Sequence, residues 1–467
     1  MIDSAEVLLV VPSVTPPLDP RFRPISLGAR AYRRLVGASP EKVPLAIALE
    51  RNDGFRSVFR TEVFAPGSGR DAATRLYVER LVKFLLWQIG GWKITLGGPR
   101  ALGEFIARTY APGGARAFDV QLMEQVYEKR FTVETVDPAQ MPNPRESAIA
   151  LGGHLDGCRV GFDLGASDYK IAAVQNGRAI HTAEIPWDPR NQSDPDWHYR
   201  KINEGLKLAA GRLPRVDAIG GSAAGIYIDN RVMVASLFRG VAPQLFADKV
   251  RPMFLNLARE WGMPFEVAND GDVTALAGAM SLGEKGVLGV AMGSSQAAGF
   301  LDRDGRITGW LNELAFAPVD YHPQAAVDEW SGDSGCGVQC FSQQAVVRLA
   351  PAAGIELPAG HPAEQLKFVQ DLHRRGDPRP QKIFETIGVY LGYALAHYAE
   401  MYDFSHLLVL GRVTSGAGGD LIVQKANEVL QADFPDLAGR LSLHLPDEKS
   451  KRVGQAVAAA SLPQLRK

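Results

Sequence analysis

The sequence predicts a layered α/β protein built from more than one domain. Three observations carry this expectation. From Arg159 onward, short apolar strand candidates alternate with helical stretches, three of those strands run into glycine-containing turns, and 467 residues exceed what one hydrophobic core ordinarily organises. Alternation of this kind places binding sites at strand ends.

Taken in order, the chain opens with a Pro-rich segment (Pro12, Pro16, Pro17, Pro20, Pro24), followed by a strand over Pro44–Leu49 and a helix over Ala72–Gln88. Helices are expected near 100–110 and 118–129, and the run Asp137–Pro144 reads as a linker. These features predict an N-terminal α/β accessory domain over residues 1–150. The two shorter helices invite a helix-turn-helix reading, but the connection Ala111–Ala117 is too long for that motif, and nucleic-acid binding is not expected. Beyond the boundary, strands are predicted at 159–163, 171–175, 218–221, 265–268, 287–291 and 407–410. Helices are predicted at 197–210, 243–261, 273–280, 343–349, 380–402 and 420–430.

Composition excludes several classes. With 46% hydrophobic and 22% charged residues the chain is an ordinary globular protein. Its 51 basic residues against 52 acidic ones leave a net charge of −1, which gives no bulk attraction to nucleic acid or an anionic membrane. Cys158, Cys336 and Cys340 are too few for a disulfide framework and suit a reducing compartment. The acidic start Met1–Glu6 does not read as a signal peptide, and no apolar run is long enough to span a bilayer, so a cytoplasmic protein is expected.

Three turns carry the first functional signal. In Gly161–Lys170, Gly165 lets backbone amides approach an anion, Ser167 adds a donor, and Asp163 at the strand end suits a hydrated Mg²⁺. Val290–Phe300 repeats the design with Gly293 and Ser294. Leu407–Gly416 ends a third strand at Gly411, with room for a nucleoside. Each turn alone is equally explained by hairpin geometry. Neither a Walker lysine motif nor a Rossmann glycine fingerprint is present in this part of the chain.

The stretch Phe265–Ala279 joins a strand to a helix and sets Asn269, Asp270 and Asp272 around Gly271. Taken with Asp163–Ser167, Gly293–Ser295, Asn312–Phe316 and Leu410–Gly411, in that order, it resembles the ROK family of sugar kinases and sugar-responsive repressors. The resemblance covers about residues 157–463 and leaves the N-terminal segment unmatched.

The resemblance implies two actin-like (RNase H-like) lobes around a cleft, residues 151–282 completed by 446–467, and residues 283–445. It implies ATP- and Mg-dependent phosphorylation of a sugar hydroxyl, with Asp270 as general base and Asn269 and Glu313 gripping the acceptor. Asp163, Gly165, Ser167, Gly293, Ser294 and Gly411 would serve the nucleotide, with Asp163 also at the metal. The chemistry stands on its own terms, since a positioned carboxylate activates a poorly nucleophilic hydroxyl. Asp272 is then expected to cap the following helix. A homodimer is implied as well. The alternative is a catalytically silent sugar-sensing regulator.

Departures from the family are specific. Phe316 replaces a zinc-binding histidine, and Glu329 and Ser331 replace two cysteines, leaving Cys336 alone. No zinc is expected, and Trp330 packing with an ion pair of Asp333 is expected to order that loop instead. Around Ala218–Asn230 the family's prolines are missing, although Ser222 and Asn230 remain candidates for the acceptor site. The loop Trp187–His198 reads equally as a sugar-stacking platform or as an anchored surface loop. Lys451 and Arg452 in the last helix are candidates to approach the nucleotide.

Overall fold

The strand residues sort into three main sheets. The computed structural model describes residues 5–146, 151–445 and 448–465, and the side chains of 448–453 lie outside that description, Lys451 and Arg452 among them. The first sheet comprises β1 (Lys42–Glu50), β2 (Arg56–Phe64), β3 (Lys93–Gly97) and β4 (Thr132–Val136) in the order β2-β1-β3-β4. Its pairs are antiparallel except β3 and β4, which run parallel and are joined through helices Arg100–Thr109 and Ala117–Tyr127.

The second sheet holds β5 (Cys158–Leu164), β6 (Asp168–Gln175), β7 (Arg178–Pro186), β8 (Ala218–Ala223) and β11 (Phe265–Asn269), ordered β11-β8-β5-β6-β7. Central β5 is buried along its whole length, whereas edge strand β7 has no buried residue, as their places in the sheet require. A short hairpin, β9 (Ile226–Ile228) with β10 (Arg231–Val234), leads from β8 towards β11. The third sheet holds β12 (Val287–Met292), β13 (Gln296–Leu301), β14 (His406–Leu410) and β15 (Ser442–His444), ordered β13-β12-β14-β15. The two sheets form the lobes expected of an actin-like fold. The final helix, Glu448–Ala460, returns to the first lobe and lies on β5, β6 and β8. A Cβ on Gly161 or Gly220 would overlap the carbonyls of Ala456 or Ala459, so these strand glycines let the helix sit directly on the sheet.

The N-terminal segment is joined to the second lobe rather than set outside it. One continuous core includes Tyr77, Phe84 and Trp87 of helix Asp71–Ile89, Leu288 and Val290 of β12, and Tyr390 and Tyr398 of helix Arg379–Met401. Within the Pro-rich segment, Val14 N donates to Tyr393 OH and Leu18 N to Thr386 Oγ1, and the Phe22 ring lies 4.7 Å from Tyr390. The expected linker turns back on the first sheet, where Met141 packs against Ala46 and Ala48.

Most predicted elements differ from the observed ones only at their ends. The exception is 243–261, where Pro252 removes a helical donor and the helix proper begins at Met253. No described helix is long and apolar enough to cross a membrane.

Candidate functional site

The junction of β11 with helix Asp270–Leu282 organises the site. Asn269 is the helix cap: its side-chain oxygen accepts from Gly271 N at 2.7 Å, and its Nδ2 donates to Gly225 O at 2.7 Å. This corrects the expectation that Asp272 caps the helix. The chain is already helical at Asp270, so Asp272 falls in the first turn, where it is buried and accepts from Asn312 Nδ2 at 3.0 Å and Phe300 N at 3.3 Å.

The Asp270 charge reaches Tyr227, in the wall of a cleft of about 350 Å³ lined also by Asn230, Asn269, Asp272 and Trp310, and it is felt together with that of Asp163. Burial, reinforced by the Asp163 charge, pushes the Asp270 carboxyl up to about 6. Burial first, then the charges of Asp270 and Asp272, takes Glu313 up to about 8, while burial takes Asp272 to about 7. Asp270, Asp272 and Glu313 thus form one electrostatically coupled group, although only Asp272 among them lines the cleft.

Asp163 ends buried in β5, with Oδ1 accepting from Ser222 Oγ at 2.8 Å and Oδ2 lying 3.8 Å from Lys170 Nζ. Ser222 is fully buried behind the cleft, and Gln455 of the last helix donates to its hydroxyl at 3.1 Å and to Asp270 O at 3.2 Å. Ser222 is therefore placed to hold Asp163 rather than to line the cleft. Asn230 does line it, but its amide is engaged by Phe265 O, Glu266 and Val267 N, which ties the β9–β10 hairpin to β11. Nothing in the sequence around Gln455 distinguished it from other helix positions.

The three glycine turns close the strands as expected. Gly165 N donates to Asp168 O at 3.0 Å, and Gly293 N to Ser295 O at 2.9 Å, with Ser294 at the bend. Gly411 has φ 96°, and a Cβ there would overlap the backbone of Met292, so a glycine is required where the third turn meets the second. The Arg412 charge beside it reaches Asp168 in the first turn. Ser167 Oγ donates to Asp168 Oδ2 at 3.0 Å, so this hydroxyl is turned to a carboxylate. Asp163 offers a hard oxygen donor of the kind a divalent cation takes, but no cluster of three metal-ligating side chains surrounds it among the described residues, whereas Asp168 opposes a phosphate at the first turn.

The glutamate loop is held by the N-terminal segment. Leu311, Asn312 and Glu313 donate through their amides to the carbonyls of Ile89, Gln88 and Trp87, which would otherwise be unsatisfied at the end of helix Asp71–Ile89. Where the sequence resemblance would place a zinc-binding histidine, the Phe316 ring lies 4.4 Å from Trp87, 5.3 Å from Phe118 and 5.7 Å from Trp330. Asp333 pairs with Arg80 at 3.0 Å, Arg116 at 2.8 Å and Lys83 at 3.3 Å. Glu79 and Asp119 balance the remaining charge. Ser331 bonds Asp328, and burial pushes the Cys336 thiol up to about 12, so the residues here do not fit a zinc ion.

The cleft also has a wall that sequence reasoning missed. Arg51, Asn52, Asp53 and Phe55, from the turn between β1 and β2, line it opposite Tyr227 and Asp229. The readable signal was Asn52-Asp53-Gly54, a turn sequence directly after the Pro44–Leu49 strand. Conversely, the Trp187–His198 loop is an anchor. Trp187 is buried, donates to Gly165 O at 2.8 Å and stacks on Trp197 at 6.0 Å, supporting the first turn from behind.

No protein-family model and no curated protein matches the chain. Solved structures do. A ROK family glucokinase from Streptomyces griseus, in complex with glucose and AMPPNP, is 20% identical, with a TM-score of 0.50 over 66% of this chain and 99% of its own. A ROK hexokinase from Thermus thermophilus is 18% identical, with a TM-score of 0.51 over 66% and 97%. A ROK family transcriptional regulator, a homolog of the E. coli MLC protein, is 19% identical, with a TM-score of 0.51 over 66% and 79%. At such identities the likeness is one of fold. The chain has the two-lobed, actin-like ATPase fold that ROK sugar kinases and regulators share.

Proposed function

We propose that this protein transfers a phosphoryl group from ATP to a hydroxyl of a sugar-like acceptor. The observation that carries the reading is Asp270 at the start of its helix, next in the chain to the cleft-lining Asn269 and within electrostatic reach of both Tyr227 and the buried Asp163, with its carboxyl pushed up to about 6. A carboxylate so placed takes the proton of the attacking hydroxyl and is largely ionised at neutral pH. Asn269 fixes the start of its helix, and Glu313, raised to about 8, carries a proton at neutral pH and can both donate to and accept from acceptor hydroxyls. Asp163 would hold Mg²⁺, positioned by Ser222 and Lys170, and Gly165, Ser167, Gly293, Ser294 and Gly411 would line the nucleotide side. Bound Mg-ATP supplies the γ-phosphoryl group and the charge that stabilises its transfer. Closure of residues 151–282 with 446–467 against 283–445 would exclude water.

The test is ADP release with Mg-ATP across hexoses, N-acetylhexosamines and polyols, with Asp270→Asn beside the parent. A sugar-dependent signal that falls by about 10²–10⁴ in the variant supports the kinase. A folded protein that is silent with every acceptor overturns it.

One observation favours a second reading. Asp168 places a negative charge in the first phosphate turn and takes the hydroxyl of Ser167. A regulator that binds sugar in the cleft without turning over ATP would tolerate this arrangement, and it would show a sugar-induced thermal shift with no ADP release.

A further inference from the structure

The turn between β1 and β2 lies outside residues 157–463, which carry the sequence resemblance, yet it forms one wall of the cleft. Among the charged residues of the lining, carboxylates outnumber cations. Asp53 comes from this turn, and Asp229, Glu266 and Asp272 come from the first lobe. The single lining cation, Arg51, is held in place by Glu146, Ser57 and Gly309 O, so its charge is already matched. Arg231, whose charge reaches Asp229, is itself bound to Glu128 at 2.6 Å. The lining therefore holds four carboxylates against one cation that is already paired, with Arg145 beside the turn over the Phe55 ring at 5.7 Å.

Two further features point to a ligand. Arg51 is 4% exposed, yet its Nε has no hydrogen-bond partner among the described residues, and neither do Asn52 Oδ1 and Thr308 Oγ1, which line the same cleft. The aromatic side chains of Phe55, Tyr227 and Trp310 complete the lining. Unpaired donors and acceptors suit hydroxyls, whereas aromatic faces among carboxylates suit a cation.

From these features we infer that the Arg51–Phe55 turn makes the cleft selective for an acceptor carrying a protonated amine, an amino sugar or amino polyol, with Asp53 and Asp229 receiving the ammonium group. The inference rests on the acceptor-site reading above and names its substrate class. A neutral hexose would leave the facing acids uncompensated, and a sugar acid or sugar phosphate would be repelled.

The experiment is calorimetric binding to the full chain without nucleotide. The probes are 2-amino-2-deoxyglucose and 1-amino-1-deoxyglucitol against glucose, glucitol and N-acetylglucosamine. At least one amine is expected to bind roughly tenfold tighter than its neutral counterpart, the equivalent of one partly desolvated ion pair. Acetylation is expected to remove the gain, and Asp53→Asn and Asp229→Asn each to reduce it. Both substitutions are at exposed positions, so the variants should fold. Equal binding of amine and neutral probes, or a preference unchanged in both variants, overturns the inference while leaving the kinase reading intact. Binding of no probe overturns it as well. Amine-selective binding without ADP release would sustain it while the kinase reading failed.

Discussion

The amide of Glu313 donates to the carbonyl of Trp87 at 2.9 Å, joining the Leu311–Glu313 loop to the last turn of an N-terminal helix. The partners on either side, Asn312 with Gln88 and Leu311 with Ile89, extend the seam. The N-terminal segment therefore sets the position of Glu313 through backbone bonds that no side-chain change removes. Phe316 packs over Trp87 just beyond them. Phe316→Ala is expected to cost about 3–5 kcal/mol and to weaken acceptor binding, because the cavity would loosen both elements. Chemical denaturation and sugar titration of the same variant check the two effects together.

Asp333 is the shared partner of Arg80, Lys83 and Arg116, all nearly inaccessible. Removing it leaves three buried cations facing only Glu79 and Asp119. Asp333→Ala is expected to destabilise the protein by about 3–5 kcal/mol, the cost of breaking a buried charge cluster from one side. Added Zn²⁺ should not restore the lost stability, since the Cys336 thiol is pushed away from its thiolate form. Thermal unfolding with and without the metal reads both outcomes.

How much of this was legible in the sequence depended on whether the determinant was local. Gly165, Gly293 and Gly411 each end an apolar strand, a pattern visible within ten residues, and all three mark turns in the fold. Phe316 also announced itself, as a substitution in a pattern that would otherwise bind metal, and the same departure pointed to an ion pair of Asp333. What could not be read were relations across the chain. Gln455 reaches Asp270 over a separation of 185 residues, and Arg51 meets Gly309 over 258. The cap assignment failed for a subtler reason. Asn269 and Asp272 are both good capping residues, and only the backbone decides that the helix begins at Asp270.

The acid group predicts two pH effects. For catalysis, Asp270 must be unprotonated, so kcat/KM is expected to fall below about pH 6 by about tenfold for each pH unit. For stability, the sign is opposite to that of an ordinary paired carboxylate. The folded pKa of Glu313, about 8, lies above the ordinary glutamate value of 4.5, so the native state holds the proton more tightly and stability from this group declines as pH rises through that interval. His397, driven down by burial to about 3, works the other way below its ordinary range, so the parent's curve mixes the two. The difference between Glu313→Gln and the parent isolates the acid. The variant should gain thermal stability relative to the parent as pH rises from 6 to 9, while binding its acceptor less well.

Asp168 offers the sharpest test between turnover and sensing. Its carboxylate accepts from Ser167 Oγ at 3.0 Å and from Lys170 Nζ at 3.1 Å, so it occupies the donors that a phosphate would use. Asp168→Asn removes the charge and keeps the shape. If ATP is bound and used in this turn, the variant should show a KM for ATP lower by roughly tenfold, the scale of one hydrogen bond to a charged group, with kcat for the acceptor unchanged. Lys170, released from Asp168, remains near Asp163 at 3.8 Å and can strengthen the same effect. A KM that stays where it was, with sugar binding intact, would mean that the first turn does not serve a phosphate and would move the reading to the sensor.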